Sequence, residues 1–198
     1  MSTHHTILPT TMRRKIILGI LALIVLFIGY QVYKIRTTPP ASPPDKVNFS
    51  EGDLEMSIDY SRPYKKGRLI FGEDSEVESE KPLQPYGQYW RMGANNATEL
   101  SVNKNFTFGG NPVDAGTYRM YAIPGATEWE VVLNSEAGVW LAFREPDYDK
   151  DILKVKVTPE TIDPIVEQLT FDFSSDTTGI NMNMSWDNIK LSIPIAVQ

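Results

Sequence analysis

The chain has 198 residues, with 19 basic and 25 acidic side chains and a formal net charge of −6 at pH 7. It contains no cysteine, which excludes disulfides, thiolate metal sites and cysteine nucleophiles. Both histidines, His4 and His5, precede an apolar segment, so the rest of the chain lacks the imidazole that Ser-His-Asp triads and most zinc hydrolases use. Composition therefore removes a large part of enzyme chemistry.

The apolar segment begins at Ile16, ends at Tyr33 and directly follows three basic residues. As a helix it covers about 27 Å, enough to cross a bilayer core when the flanking basic side chains reach the headgroups. A cleavable signal peptide is the alternative, but no good cleavage site follows the apolar core. We predict a short cytoplasmic tail over residues 1–15 and an uncleaved transmembrane anchor over residues 16–33.

The distribution of basic residues predicts the orientation of this anchor by a narrow margin. Three basic residues precede the apolar segment, and two, Lys34 and Arg36, follow it closely. Basic residues favour the cytoplasmic side, so the C-terminal part is expected outside the cytoplasm. A proline-rich linker is predicted over residues 34–46, with an extended spacer of about 25 Å over residues 37–44.

The remaining residues, 47–198, have the size of one domain with its own core. From Asp45 onward 14 basic residues stand against 25 acidic ones, a net charge of −11. This balance opposes binding to nucleic acid and fits neutral ligands or basic partners.

Apolar and polar residues alternate in segment after segment of this domain, which is the period of half-buried strands. Examples are residues 54–60, 153–157, 169–173 and 180–195, and turn residues separate the segments at intervals of roughly ten residues. Only residues 159–168 suggest a helical turn. The pattern predicts an all-β fold, an antiparallel β-sandwich of jelly-roll or immunoglobulin-like kind.

Inward positions of this pattern predict the core. Seven apolar side chains are assigned to the inner faces: Met56, Ile58, Val155, Phe171, Phe173, Met184 and Leu191. Three tryptophans in strand-like segments are also predicted to be buried: Trp129, Trp140 and Trp186.

Two segments, residues 60–68 and 89–99, break the alternation, and such breaks tend to occur at functional or strained sites. With the Ala-Gly-Thr-Tyr motif at 115–118 and the strand pattern at 186–195, they resemble the bacterial exported family called domain of unknown function 2911. The resemblance covers residues 54–195. Combined with the anchor predicted above, the resemblance to a bacterial exported family gives the expectation of a bacterial inner-membrane protein with one membrane span and a C-terminal domain in the periplasm or outside the cell. It implies no activity, because none is established for that family.

The chain departs from the family pattern at two places. An acidic run from Glu73 to Glu80 lengthens one connection, and Asn134-Ser135 stands where asparagine is usually followed by a basic residue. The second departure weakens the expectation of a basic ligand contact at that place.

The two irregular segments suggest a shallow polar site for a ligand. Its hypothetical ligand-binding residues are Arg62, Arg68, Trp90, Arg91, Asn95, Asn96 and Thr98. Arg62 precedes a proline and is held extended, Trp90 offers a face for a sugar ring, and the amides suit hydroxyl-rich ligands. The alternative is structural, with the arginines paired to Asp59, Glu99 or backbone carbonyls and the asparagines in turns. In both cases the two segments are expected to lie side by side.

These observations favour a non-catalytic binding or envelope-associated module for a polar ligand such as a glycan, or for a protein partner. The sequence does not decide whether the protein is an enzyme, and a non-enzymatic role is the preferred interpretation. One alternative is a carboxylate-based hydrolase of glycoside hydrolase type, in which Glu99 acts with Asp114 or Asp151. A purely structural envelope protein is the other alternative.

No metal or cofactor is predicted. Asp147, Asp149 and Asp151 have the alternate spacing of a calcium loop, but Ile152 stands at the position of its glycine and Thr158 at that of its glutamate.

Overall fold

The computed structural model describes residues 10–177 and 179–197. The chain divides into two compact units between Pro40 and Ala41. The first nine residues, including His4 and His5 and most of the predicted tail, lie outside the described residues.

The first unit contains one helix, α1, Thr10–Thr37. Within it, Arg14–Thr37 is apolar and long enough to cross a membrane, and none of that stretch is buried. Its 24 residues cover about 36 Å. The helix extends beyond the predicted span because backbone bonding continues to its end, where the Thr38 N–H donates to the Lys34 carbonyl at 2.9 Å. By length and composition, this helix can be a membrane anchor or a signal sequence.

The extended spacer predicted over residues 37–44 is shorter in the structure. Thr37 belongs to α1, and Pro44 is the first residue of a strand, so six residues, 38–43, lie between the two elements. Proline is tolerated at a strand start, where the missing N–H interrupts no ladder. The first strand therefore begins three residues before the predicted start of the domain at 47.

The described residues of the second unit form twelve strands and two short 3₁₀ turns, Glu78–Glu80 and Tyr148–Lys150. In chain order the strands are β1 (Pro44–Glu51), β2 (Leu54–Ser61), β3 (Phe71–Gly72), β4 (Gln84–Pro85), β5 (Thr98–Val102), β6 (Phe106–Phe108), β7 (Asn111–Val113), β8 (Gly116–Ile123), β9 (Trp129–Asn134), β10 (Asp151–Val157), β11 (Glu160–Asp176) and β12 (Gly179–Val197).

Two antiparallel sheets form the domain, which confirms the predicted all-β class. The larger sheet has the order β1-β2-β5-β8-β9-β10, and the smaller has the order β11-β12-β6-β7. The short strands β3 and β4 pair in parallel beside them. A two-residue turn joins β6 to β7, and both of its glycines, Gly109 and Gly110, have positive φ, as this hairpin type requires.

Inner faces of both sheets contribute to one core, as in a sandwich. Tyr60 of β2 meets Phe171 of β11 edge to face, with ring centroids 4.8 Å apart. Six of the seven predicted core residues are buried: Met56, Ile58, Val155, Phe171, Met184 and Leu191. The seventh, Phe173, is half-buried and packs against the core through Phe49, 5.7 Å away.

Two predictions about this domain were wrong. Residues 159–168 form no helical turn, because they belong almost wholly to β11, which is rich in β-branched residues and pairs with β12 through two register shifts. Trp140 is 76% exposed, whereas Trp129 and Trp186 are buried as predicted. The reason is that Trp140 lies in the long connection between β9 and β10 and not in a strand.

Four aromatic side chains form the end of the core nearest the irregular segments: Phe71, Trp90, Trp129 and Trp186. Phe71 contacts the three tryptophans edge to face, at centroid distances of 4.6 to 5.9 Å. Trp90 stacks on Trp186 with an interplanar angle of 20°. Two members of this cluster, Trp90 and Trp186, border the candidate site.

Candidate functional site

The two irregular segments lie against each other, as predicted. A Cβ built on Gly93 would lie 3.2 Å from the Ser61 carbonyl oxygen and 2.8 Å from Thr98 Oγ1. Trp90 exchanges backbone hydrogen bonds with Ala122 of β8, each at 2.8 Å. The second segment is thus fixed to the sheet at Trp90 and to the end of β2 at Gly93.

Arg62 has a structural role in this arrangement. Its Nε donates to the Leu169 carbonyl at 2.9 Å, and a terminal nitrogen donates to Thr170 Oγ1 at 2.8 Å. Another nitrogen lies 3.2 Å from the Asp45 carboxylate. Arg62 therefore connects β2, β11 and β1, which matches the structural alternative for this residue. A backbone carbonyl is one partner, as anticipated, but the carboxylate is that of Asp45 and not that of Asp59 or Glu99.

A surface cleft of about 570 Å³ brings together four of the seven hypothetical site residues: Arg68, Trp90, Arg91 and Asn95. We call it the arginine cleft. Tyr64 and Phe143 are exposed residues of its wall. Trp90 and Trp186 also line it, but each is almost fully buried. Trp90 is consequently part of the core and offers no open face for stacking, contrary to the expectation from sequence.

Basic side chains of the arginine cleft are held by backbone carbonyls. Arg68 donates from Nε to the Lys65 carbonyl at 3.0 Å and from a terminal nitrogen to the Tyr64 carbonyl. Arg91 makes one hydrogen bond, to the Asn95 carbonyl at 3.1 Å. Lys66 is exposed and also lines the cleft.

The remaining polar residues of the second segment serve mainly to shape it. Asn95 has a φ of 59° and donates to the Ser42 carbonyl at 3.3 Å. Asn96 lies outside the arginine cleft, and its side-chain oxygen accepts from the Leu141 N–H at 3.0 Å. Thr98 is fully buried and donates to the Met92 carbonyl at 3.0 Å. Asn96 and Thr98 therefore hold the second irregular segment in its conformation and position.

A second cleft, of about 300 Å³, is lined by Asn96, Trp140 and three acidic residues, Asp45, Asp59 and Glu99. Each carboxylate has an internal partner. Asp45 pairs with Arg62 at 3.2 Å and Asp59 with Lys46 at 2.8 Å, while Glu99 accepts from the Gly138 N–H at 2.5 Å.

The carboxylates proposed as partners of Glu99 do not line this second cleft. Asp151 accepts from Tyr121 Oη and from Asn134 Nδ2, both at 2.8 Å, and lies 3.3 Å from Lys154. Asp114 is exposed. The structure thus does not place either nominated pair across this cleft.

The connection between β9 and β10, residues 135–150, passes between the two clefts. We call it the β9–β10 loop. Trp140 and Phe143 are 76% and 80% exposed on this loop, one lining each cleft. Their neighbours are bonded to the second irregular segment, since the Ala142 N–H donates to the Asn95 carbonyl at 3.0 Å and the Ala97 N–H to the Val139 carbonyl at 3.3 Å.

A buried ion pair holds the base of the β9–β10 loop. Arg119 of β8 is fully buried and donates to the Glu136 carboxylate at 3.0 Å. The same guanidinium donates to Tyr89 Oη at 2.8 Å and to the Arg144 carbonyl at 3.0 Å. Its Nε has no partner within the described residues. Arg119 thus joins three segments: β8, the second irregular segment and the β9–β10 loop, which it contacts at two points.

Sequence analysis missed this network. Arg119 occupies a strand position that alternates with the inward-facing Tyr118 and Met120, and that pattern alone indicates an exposed side chain. The signal that was available is the length of the β9–β10 loop, since long connections with aromatic residues are often functional.

Two tyrosines, Tyr121 of β8 and Tyr148 of the β9–β10 loop, have a raised pKa. Burial and the hydrogen bond to Asp151 raise the pKa of Tyr121 far above its usual 10.0. Burial and the hydrogen bond to Glu145, at 2.6 Å, raise the pKa of Tyr148 to about 12. Both phenols are therefore neutral donors at physiological pH.

Among the described residues, no group of three or more carboxylate or histidine side chains is arranged to hold a metal ion. Of the three alternate aspartates, Asp147 accepts from the Asp149 N–H at 3.2 Å and caps the turn Tyr148–Lys150. Asp151 is occupied in the network with Tyr121.

Fold and site together define a β-sandwich domain with a lateral polar cleft, preceded in the chain by an apolar helix long enough to cross a membrane. A family model described as "Protein of unknown function (DUF2911)" matches residues 42–195. The chain belongs to this family. No curated protein and no solved structure gives a significant match.

Proposed function

We propose that this protein is a single-pass protein of the bacterial inner membrane whose sandwich, in the periplasm or outside the cell, binds a polar ligand such as a glycan without catalysing a reaction. One observation carries the binding role. Trp140 and Phe143 are 76% and 80% exposed on a loop that the sandwich holds by its buried Arg119.

Large exposed aromatic side chains contribute little to folding, and their exposure next to clefts is typical of recognition surfaces. A loop fixed by a buried ion pair and by backbone hydrogen bonds loses little further freedom when a ligand binds, which reduces the entropic cost of association. Flat aromatic faces beside amide and guanidinium donors suit the alternating apolar and hydroxyl surfaces of sugars. These properties support a glycan more than an apolar ligand.

The location is supported by the apolar helix α1 and by the basic residues at its two ends. A membrane-anchored domain with a preformed lateral cleft suits capture of a ligand near the cell envelope.

The binding role is tested with the full-length protein in lipid nanodiscs. Thermal unfolding is followed by tryptophan fluorescence in the presence of a panel of glycans and metabolites. A ligand at 100 times its Kd stabilises the native state by about 2.7 kcal/mol, which raises the Tm by several degrees. We expect at least one member of the panel to give such a shift.

Variants then locate the site. Phe143→Ala and Trp140→Ala remove exposed rings, so both should fold with nearly unchanged stability while at least one reduces the ligand-induced shift. Ile165→Ala is the matched control, because Ile165 is 54% exposed on β11 and lines neither cleft. A panel without any stabilising member, or a shift that survives in the Trp140→Ala, Phe143→Ala double variant, contradicts the proposal.

A further inference from the structure

We infer that the arginine cleft binds a sugar that carries an anionic group, such as a carboxylate, sulfate or phosphate. This inference rests on the proposed function and specifies its ligand class. It starts from the distribution of ion pairs in the second unit.

Most basic residues of this unit are neutralised. Of the 14 lysines and arginines after Asp45, nine lie within 4.0 Å of a carboxylate. Five have no such partner among the described residues: Lys66, Arg68, Lys81, Arg91 and Lys190. Three of these five, Lys66, Arg68 and Arg91, line the arginine cleft.

Every charged side chain that lines this cleft is basic, although the domain as a whole carries a charge of −11. Two carboxylates contact neighbouring groups, but neither lines the cleft. Glu167 accepts from the backbone N–H of Lys66 at 2.8 Å, and Asp187 pairs with Lys65 at 2.6 Å. The cleft on the other side of the β9–β10 loop contains acidic residues and no basic ones. Charge is therefore separated between the two clefts and not randomly spread.

Three like charges around one concavity repel each other, and an anion placed among them relieves that repulsion. Arg68 is held by two backbone carbonyls, and its charge remains uncompensated by them. Arg91 uses one N–H for the Asn95 carbonyl and retains further donors. Charge-assisted hydrogen bonds from such donors to an anionic oxygen are stronger than bonds to a neutral hydroxyl.

Aromatic residues of the cleft provide contacts for a ring. Phe143 is 80% exposed and Tyr64 is 37% exposed. Trp186 also lines the cleft, and its buried Nε1–H has no acceptor within the described residues. A ligand with both a ring face and anionic oxygens contacts the exposed rings of Phe143 and Tyr64 as well as the basic donors, whereas a free inorganic anion leaves the aromatic faces unused.

The test compares matched probes on the full chain in nanodiscs of phosphatidylcholine. The charged probes are digalacturonate, glucose 6-sulfate and glucose 6-phosphate, and the neutral probes are digalactose and glucose. Glycerol 1-phosphate represents the headgroup of an anionic lipid. Binding is measured by isothermal titration calorimetry at two salt concentrations.

We expect at least one charged sugar to bind about tenfold or more tightly than its neutral counterpart, with affinity that falls as salt is raised. Arg91→Gln and Lys66→Gln should each weaken that binding about tenfold. Lys81→Gln is the matched control, because Lys81 is also exposed and lacks an ion pair to the described residues, but lies outside the cleft. An unchanged Tm in each variant shows that folding is preserved.

The contrary outcomes are distinguishable. Equal affinity for charged and neutral sugars overturns the inference and leaves the proposed function standing. Binding of glycerol 1-phosphate as tight as that of the charged sugars assigns the cleft to lipid headgroups and overturns the inference. Absence of binding by all sugars here and by the wider panel overturns both.

Discussion

Arg62 and Arg91 show how the same residue type takes different roles in neighbouring segments. The Arg62 guanidinium contacts Leu169, Thr170 and Asp45, so its donors are used within the fold. Arg91 makes a single hydrogen bond to a carbonyl and lines an open cleft. The difference comes from the surroundings, because the end of β2 is covered by β11 whereas the second irregular segment lies at the surface. Only the second arginine is available to a ligand.

Gly93 is a residue whose small size is needed for contact between the two segments. A methyl group at this position would lie 2.8 Å from Thr98 Oγ1 and 3.2 Å from the Ser61 carbonyl oxygen. Gly93→Ala should therefore lower the free energy of unfolding by about 1–3 kcal/mol, measured by chemical denaturation. Gly72→Ala is the control, because its nearest neighbour would be 3.5 Å away, and it should cost clearly less. Equal effects of the two substitutions would show that the close approach at Gly93 is unimportant.

Tyr148 makes stability depend on pH in the alkaline range. Its pKa is raised by burial and by Glu145 from 10.0 to about 12, so the folded state holds the phenolic proton more tightly than the unfolded state. The corresponding stability is fully present below pH 10 and is lost as the pH rises from 10 toward 12. The Tm should decline over this window, and less steeply in Tyr148→Phe. Identical slopes in wild type and variant would contradict the assignment. Tyr64→Phe is the control, because Tyr148 donates to the Glu145 carboxylate whereas the Tyr64 hydroxyl has no carboxylate partner among the described residues.

At the level of elements, the β9–β10 loop is held by bonds to β8, β5 and the second irregular segment and not by its own secondary structure. Arg119 connects β8 to Glu136 and to the Arg144 carbonyl, and Asn95, Asn96 and Glu99 bind the middle of the loop. Buried polar networks of this kind position a chain segment well because few other arrangements satisfy every donor. The sheet therefore holds the exposed aromatic residues of the loop in a fixed position.

Replacement of Arg119 tests this attachment. Arg119→Met leaves the Glu136 carboxylate without its buried partner and should lower the free energy of unfolding by about 3–5 kcal/mol. The matched control is Arg144→Gln, because Arg144 lies 3.8 Å from the same carboxylate with a side chain that is 83% exposed, and it should cost less than about 1 kcal/mol. Chemical denaturation monitored by tryptophan fluorescence measures both, since all four tryptophans belong to the second unit. Comparable losses in the two variants would show that burial of the Arg119 pair is not decisive.

At the level of the whole molecule, an apolar helix and a β-sandwich are separate units of one chain. The six residues between α1 and β1 include three prolines, Pro39, Pro40 and Pro43, which favour an extended linker.

Topology is tested by fusion and by analysis of the mature N-terminus. An alkaline phosphatase joined after Pro44 should be active, because the positive-inside bias of the residues around α1 favours export of everything that follows it. The mature protein should retain residues 13–33, as measured by mass spectrometry. An inactive fusion would reverse the orientation, and an N-terminus at or after Ala41 would identify α1 as a cleaved signal sequence.

Local patterns were enough to predict the apolar helix, the strand-rich class, most of the core and the meeting of the two irregular segments. The helix follows from an uninterrupted apolar segment, and the strands and core follow from side-chain periodicity and turn residues, which act over a few neighbouring positions. The meeting of the two segments follows from the need of irregular polar segments for hydrogen-bond partners. Two failures, the predicted burial of Trp140 and the omission of Arg119 from the core, concern positions whose burial periodicity does not indicate. Tryptophan is a residue type typical of cores, but Trp140 lies exposed on a loop. Arginine is a residue type typical of surfaces, but Arg119 is fully buried.

Which polar groups remain free was decided by the tertiary structure alone. Arg62 is hydrogen-bonded to β11, more than one hundred residues later in the chain. The three basic residues of the arginine cleft, which have no ion pair to the described residues, become a group only because the two irregular segments converge there. Residue types determine which contacts are possible. Long-range packing determines which of those contacts the protein itself makes and which it leaves for a ligand, because each buried donor must find its acceptor wherever the chain happens to return.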